Sequence, residues 1–238
     1  MAAGLVVIIA SAARRLTGFG FALIGAPLLS LLLSPQQLVI VVLWLQVFLG
    51  VPAAFEFKSE LDWPLLRQLA LGGILTAPLG VFVLTYANPD IVLLIMGFCV
   101  IAAASILGFF PGVIKIRATA PANVACGMLA GVMSSSVGMP GPPITIFFMG
   151  QTEMSIRQRR AMLISTFSLL ACVSLTTAFL SGQIRLDSFL LATVLLVPAL
   201  IGGYLGEYLH NHLNAKLVER FALGLVFLAG LLCIARAL

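Results

Sequence analysis

The sequence predicts an all-α polytopic membrane protein built of two inverted repeats, each a broken or re-entrant helical hairpin followed by three transmembrane helices. Three observations carry this. The 238 residues are 61% hydrophobic and only 9% charged, against about 25% charged in a soluble domain. Two hydrophobic segments break at matching places in the two halves of the chain. The basic residues between segments fall on one face if each broken segment dips into the membrane and returns.

The first broken segment runs over 2–33 and breaks at Arg14-Arg15-Leu16-Thr17-Gly18-Phe19-Gly20. The second runs over 119–150 and breaks at Ser134-Ser135-Ser136-Val137-Gly138-Met139-Pro140-Gly141-Pro142-Pro143. Irregular backbone survives at membrane depth only where protein buries it or where it lines a polar cavity. Each segment divides into arms of about 11 to 15 residues, too short for a full span of about 20. Six unbroken segments of spanning length follow them, at 38–56, 64–86, 91–110, 160–180, 188–209 and 216–236. The N-terminus lacks a basic region, and its apolar stretch runs into two arginines instead of a small-residue cleavage site, so no cleaved signal peptide is expected.

Short echoes relate repeat 1 (1–112) to repeat 2 (118–238), which together form a single transmembrane domain. Gly25-Ala26-Pro27-Leu28 follows the first break, and Gly141-Pro142-Pro143-Ile144 closes the second. Leu61-Asp62 and Leu186-Asp187 precede equivalent helices, with both aspartates expected as N-caps and Pro64 in a first turn. Asn88 and Asn214 occupy the next turns, and Gly97 and Gly224 the last helices. The preserved order points to gene duplication.

Charge chooses the topology. If the broken segments span, Lys58, Arg67, Lys115, Arg117, Arg185 and Arg236 face Arg157, Arg159, Arg160, Lys216 and Arg220, which is no bias. If they return, only Arg185 and Arg236 lie opposite the other nine. The second arrangement gives the asymmetry that orients membrane proteins, with the rich face cytoplasmic and both termini outside. The net charge of +5 is thereby used for orientation, and no nucleic acid partner is expected. Cys99, Cys126, Cys172 and Cys233 lie singly in apolar stretches, so neither a disulfide framework nor a metal site is expected, and no cofactor.

Two matched breaks mark a solute site near the bilayer midplane. Arg14 and Arg15 sit halfway through an apolar segment, where an unpaired charge is costly, and have no acidic neighbour in sequence. Their counterparts in the repeat lie near Ala130 and Gly131, so the charge belongs to one half only. A guanidinium fork suits a carboxylate or a sulfur oxyanion. Adjacent helical residues diverge by about 100°, so one of the two is expected to point inward. Gly18 and Gly20, flanking Phe19, let backbone amides approach a ligand. Gly138, Gly141 and Pro142 open a second half-helix, and helix N-termini attract anions. Ser134, Ser135 and Ser136 supply hydroxyls that either bind the ligand or satisfy the broken backbone. Gln46, and at similar depth Ser165, Thr166 and Ser168, are candidates for the same cavity, although Ser and Thr also serve helix packing. The proposed substrate contacts are therefore Arg14, Arg15, Gly18, Phe19, Gly20, Gln46, Ser134, Ser135, Ser136, Gly138, Gly141, Pro142 and Thr166. Glu207, beside His210 and His212, reads as a solvated helix end, and Gly72-Gly73, Gly80, Gly202-Gly203 and Gly206 as close helix packing.

Arg15-Leu16-Thr17-Gly18-Phe19-Gly20-Phe21-Ala22-Leu23 with Pro27-Leu28-Leu29 resembles the first signature of the sulfite exporter TauE/SafE family. Gly141-Pro142-Pro143-Ile144, an aromatic run and Arg160-Ala161 resemble its second. The resemblance covers essentially the whole chain. Val137 and Met139 interrupt the second cluster, and Arg14-Arg15 stands where many members have small residues. The resemblance implies a bacterial cytoplasmic (inner) membrane permease for small anions such as sulfite, sulfoacetate or other organosulfonates, often in export. No GxxxxGK[ST] stretch is present, which points to a secondary transporter working by alternating access. Residue chemistry leaves two alternatives open, a passive anion channel and an intramembrane serine enzyme. Oligomeric state is not legible.

Overall fold

A computed structural model describes residues 2–17, 21–109, 118–151, 153–210 and 215–237. Eleven α-helices are found among them: α1 (Ala2–Thr17), α2 (Phe21–Ser30), α3 (Pro35–Glu56), α4 (Trp63–Tyr86), α5 (Pro89–Phe109), α6 (Ala120–Val137), α7 (Gly141–Met149), α8 (Ile156–Leu180), α9 (Leu186–Val194), α10 (Leu196–His210) and α11 (Ala215–Ala237). The chain is an all-α polytopic membrane protein. Among the described residues, six stretches are long and apolar enough to cross a bilayer, namely α3, α4, most of α5, α6, α8 and the α9–α10 pair. Large side chains such as Leu75, Phe82, Phe98 and Leu200 stay exposed, as a lipid-facing surface requires.

Helix ends follow local chemistry. Asp62 accepts from the Leu65 amide at 3.1 Å and Pro64 lies in the first turn of α4. Ser155 caps α8 in the same way through the Gln158 amide. Asp187 departs from expectation: Arg185 is the N-cap residue of α9, and Asp187 lies within the first turn beside Arg185, 3.5 Å away. The expected unbroken 188–209 helix is interrupted at Leu195, three residues before Pro198. Proline there has no N–H for the carbonyl four residues back.

Both broken segments fold back on themselves. A Cβ at Gly25 of α2 would lie 3.3 Å from that of Ala10 on α1. In the second, the Cys126 thiol of α6 reaches the Pro143 carbonyl of α7 at 3.6 Å. Their first arms are longer than the sequence suggested. α1 has 16 residues and α6 has 18, whereas α2 and α7 are short, with 10 and 9. The reason is visible in α6. Ser134, Ser135 and Ser136 continue the helix, with their hydroxyls bonded to helix carbonyls and to other serines and not to a broken backbone. The break contracts to Gly138–Pro140, where Gly138 takes a left-handed conformation with φ of 71°.

Small residues let helices from different halves meet crosswise. α4 packs most extensively on α6, where side chains at Gly72, Gly127 or Gly131 would collide with the facing backbone. Gln68 pairs with Asn123 at 2.6 Å and Thr76 donates to the Met128 carbonyl at 2.7 Å, so the two helices are parallel. α1 meets α10 likewise, with Gly4 by Pro198, Gly202 by Ile8 and Gly206 by Ala12. α5 and α11 run antiparallel, since Gly97 faces Cys233 and Ile234 while Gly108 faces Leu223. α3 and α8 are also antiparallel: Ala53 and Phe57 share a cavity with Arg160 and Ile164, whereas Val39 and Leu43 cluster with Ala171.

Candidate anion-binding site

The end of α1, the start of α2, the second half of α3 and the first half of α8 enclose a narrow cavity of about 40 Å3, room for about three waters. Arg14 and Arg15 enter it from α1, Arg160 from α8, and Gln46 and Ser168 lie deeper; Phe21, Phe57 and Phe167 are apolar wall. Among the described residues, no carboxylate lines it. Guanidinium groups from two separate helices therefore face one small, partly enclosed volume, where their field is weakly screened.

Each arginine is held differently. Arg14 donates through Nη2 to the Leu49 carbonyl of α3 at 3.0 Å. That bond fixes the guanidinium and leaves other N–H groups for a ligand. Arg15 lies 3.8 Å from Glu207 of α10, a pairing between elements nearly 200 positions apart. Both arginines reach the cavity, because α1 ends at its wall and the long side chains converge there. Glu207 is consequently a partner of the site as well as a residue near a helix end. Of the arginines opening α8, Arg157 pairs with Glu60 at 3.3 Å and Arg159 donates to the Gln151 carbonyl at 2.9 Å. Arg160 turns inward, and its Nε is buried without a hydrogen-bond partner.

Gln46, only 5% exposed, donates from Nε2 to the Gly138 carbonyl at 3.1 Å. It ties the arginine cavity to the tip of the second hairpin. That tip is itself packed: Val137 and Met139 are buried, and Gly138 lies against Val39 and Val42. Gly138, Gly141 and Pro142 therefore do not line the cavity, contrary to the expectation of two opposed helix ends gripping one ligand. Neither do the serines. Ser135 donates to Ser174 at 2.9 Å, Ser174 to Ser134 at 2.8 Å, Ser134 to the Leu170 carbonyl at 3.4 Å, and Ser136 to the Val132 carbonyl at 2.7 Å. These hydroxyls join α6 to α8. Thr166 is fully buried away from the cavity, with its hydroxyl unpartnered; on the same helix, Ser168 takes the lining position. Gly18, Phe19 and Gly20 lie outside the described residues, as do His212 and the side chain of His210.

Sequence reasoning thus placed Arg14, Arg15 and Gln46 on one cavity and missed Arg160 as a member. Arg160 was read as one of a run of loop charges. The available signal was its distance from Ser155: it lies in the second turn of α8, inside the helix and past its start.

The family pattern described as Sulfite exporter TauE/SafE matches residues 3–233. The chain belongs to the sulfite exporter TauE/SafE family. A curated relative, the probable sulfite/organosulfonate exporter TauE of Cupriavidus necator, is 23% identical over 218 residues, covering 90% of this chain and 85% of the relative. No solved structure matches the chain. With its six apolar stretches of spanning length, this TauE/SafE member is a multi-pass protein of the bacterial inner membrane.

Proposed function

We propose that this protein is a secondary transporter that exports a small sulfur oxyanion, sulfite or an organosulfonate, and is not an enzyme. The observation that carries the reading is the convergence of Arg14, Arg15 and Arg160 on one cavity with no carboxylate among its described lining residues. Arginines at such depth are expensive unless they pair or serve a ligand. Guanidinium forks match the planar edges of oxyanions, and the named relative is an exporter of such compounds. The membrane potential, negative inside, favours anion efflux by about 2.3 kcal/mol per charge at 100 mV.

The cavity operates by alternating access between two inverted repeats, residues 1–112 and 118–238. Helix direction supports this. α3 and α8 hold equivalent places in the two halves, as do α5 and α11, and both pairs run antiparallel. A two-fold axis along the helices would leave such pairs parallel, so an axis lying across them fits better. The crosswise pairs α1 with α10 and α4 with α6 exchange under the same operation. Rocking of one repeat against the other then exposes a central site to each side in turn.

The test is sulfite flux in proteoliposomes. A carrier gives saturable flux and counterflow of labelled sulfite against unlabelled sulfite. Flux proportional to concentration, without counterflow, would show a channel and overturn the alternating-access reading. Absence of both flux and binding would overturn the assignment of sulfite itself.

A further inference from the structure

The arginine cavity adjoins a wider one of about 290 Å3 between α1, α3 and α10, and the two share Arg14, Arg15, Leu49 and Ala53. The wider chamber is a half-open groove with a largely apolar wall, which includes the buried Ala199 and the outward-facing Phe48 and Leu200. Ser11 lies on its wall. This serine is 2% exposed, and its Oγ has no hydrogen-bond partner. Elsewhere in the chain Ser136 and Ser168 bond back to the carbonyl four residues earlier, the usual refuge of a helical hydroxyl. Ser11 forgoes it and leaves a buried polar group unsatisfied, which is costly. Ser11, Arg14 and Arg15 stand at i, i+3 and i+4, so they form one stripe along α1.

We propose that this stripe holds the head group of an organosulfonate, with Ser11 as a third donor beside the two guanidinium groups, and that the chamber holds the aliphatic tail. This assignment rests on the transport reading above and narrows its substrate class to sulfonates carrying an uncharged chain. Inorganic sulfite uses only the head subsite and leaves the chamber unfilled. Glu56 and Glu207 also line the chamber, and Glu207 lies 3.8 Å from Arg15, at the head-group end. Gly203 also lines the chamber, and a Cβ there would meet nothing within 4 Å. A larger side chain at 203 therefore fills the chamber without disturbing α10.

The experiment is calorimetric binding to the purified full-length protein across methane-, ethane-, propane- and butanesulfonate, with sulfite alongside. Affinity is expected to rise about threefold per methylene as the tail enters the chamber. In Gly203→Leu the ratio of butanesulfonate to methanesulfonate affinity is expected to fall to about 1. Ser11→Ala is expected to weaken every sulfonate about tenfold without changing the slope with chain length. A flat series in the unmodified protein, with methanesulfonate bound, would overturn the tail subsite while leaving the anion site intact. A slope that survives Gly203→Leu would place the tail in lipid or detergent and also overturn it. Normal binding in Ser11→Ala would remove Ser11 from the head subsite. Failure of sulfite and every sulfonate to bind would instead sink the underlying transport assignment.

Discussion

Gln46 at the middle of α3 donates to the carbonyl of Gly138, the left-handed residue that ends α6, at 3.1 Å. One buried amide therefore links the cavity wall to the second hairpin tip, 92 positions away in sequence. Gln46→Leu removes the donor and leaves that carbonyl facing apolar surroundings, at a cost of about 1–3 kcal/mol. Thermal unfolding in detergent should show a lowered midpoint together with reduced flux. An unchanged midpoint would mean that the bond is not formed in the working protein.

Arg14 and Arg15 should differ in effect. Arg14→Ala removes a guanidinium already anchored to the Leu49 carbonyl, and sulfite binding is expected to weaken by about 1.5–3 kcal/mol, roughly tenfold to hundredfold. Arg14→Lys should not restore it, because an ammonium lacks the fork. Arg15→Ala should cost less, since Glu207 already balances part of its charge. Calorimetry on the purified variants reads both. Normal binding in both alanine variants would end the anion-site assignment.

The crosswise helix contacts make a packing prediction. Gly127→Ala sets a methyl against the Leu69 carbonyl, and Gly202→Ala sets one against that of Ile8. Each should destabilise by about 1–3 kcal/mol, as overpacking does. Gly203→Ala, with open space around it, should be neutral or gain up to about 1 kcal/mol from helix propensity. Yield and melting temperature in detergent distinguish the three.

The serine chain from Ser135 through Ser174 and Ser134 to Leu170 predicts a structural phenotype. Ser135→Ala should lose about 1 kcal/mol and keep transport, whereas Ser174→Ala, which deletes a donor and an acceptor, should lose more. A hydrolytic activity abolished specifically by Ser135→Ala would contradict the transporter assignment.

Orientation is checked with Ser34→Cys and Ala118→Cys, after replacing Cys99, Cys126, Cys172 and Cys233. An impermeant maleimide should label position 34 in intact cells and position 118 only after lysis. Labelling of both from one face would contradict the three spans that separate them.

Much of the fold was legible from residue order because the bilayer makes composition decisive. Apolar runs of spanning length form helices whatever they pack against, and charge between them orients the chain. Arg14 and Arg15 stood out for the same reason, as charges in an apolar stretch. Ser134–Ser136 misled because hydroxyls beside a glycine resemble a break, while their actual partners, Ser174 and Leu170, lie on another helix. Arg160 was hidden among loop charges.

By itself, then, the sequence determined the membrane class, the two interruptions and the positive charge set in an apolar stretch, since each follows from hydropathy and from local backbone chemistry. Tertiary structure alone decided that Arg160 and Glu207 join Arg14 and Arg15, that Gln46 spans to Gly138, and that the second tip is packed shut against α3. Those outcomes depend on which helix faces meet, and helix contacts between distant segments leave no periodic trace in either segment.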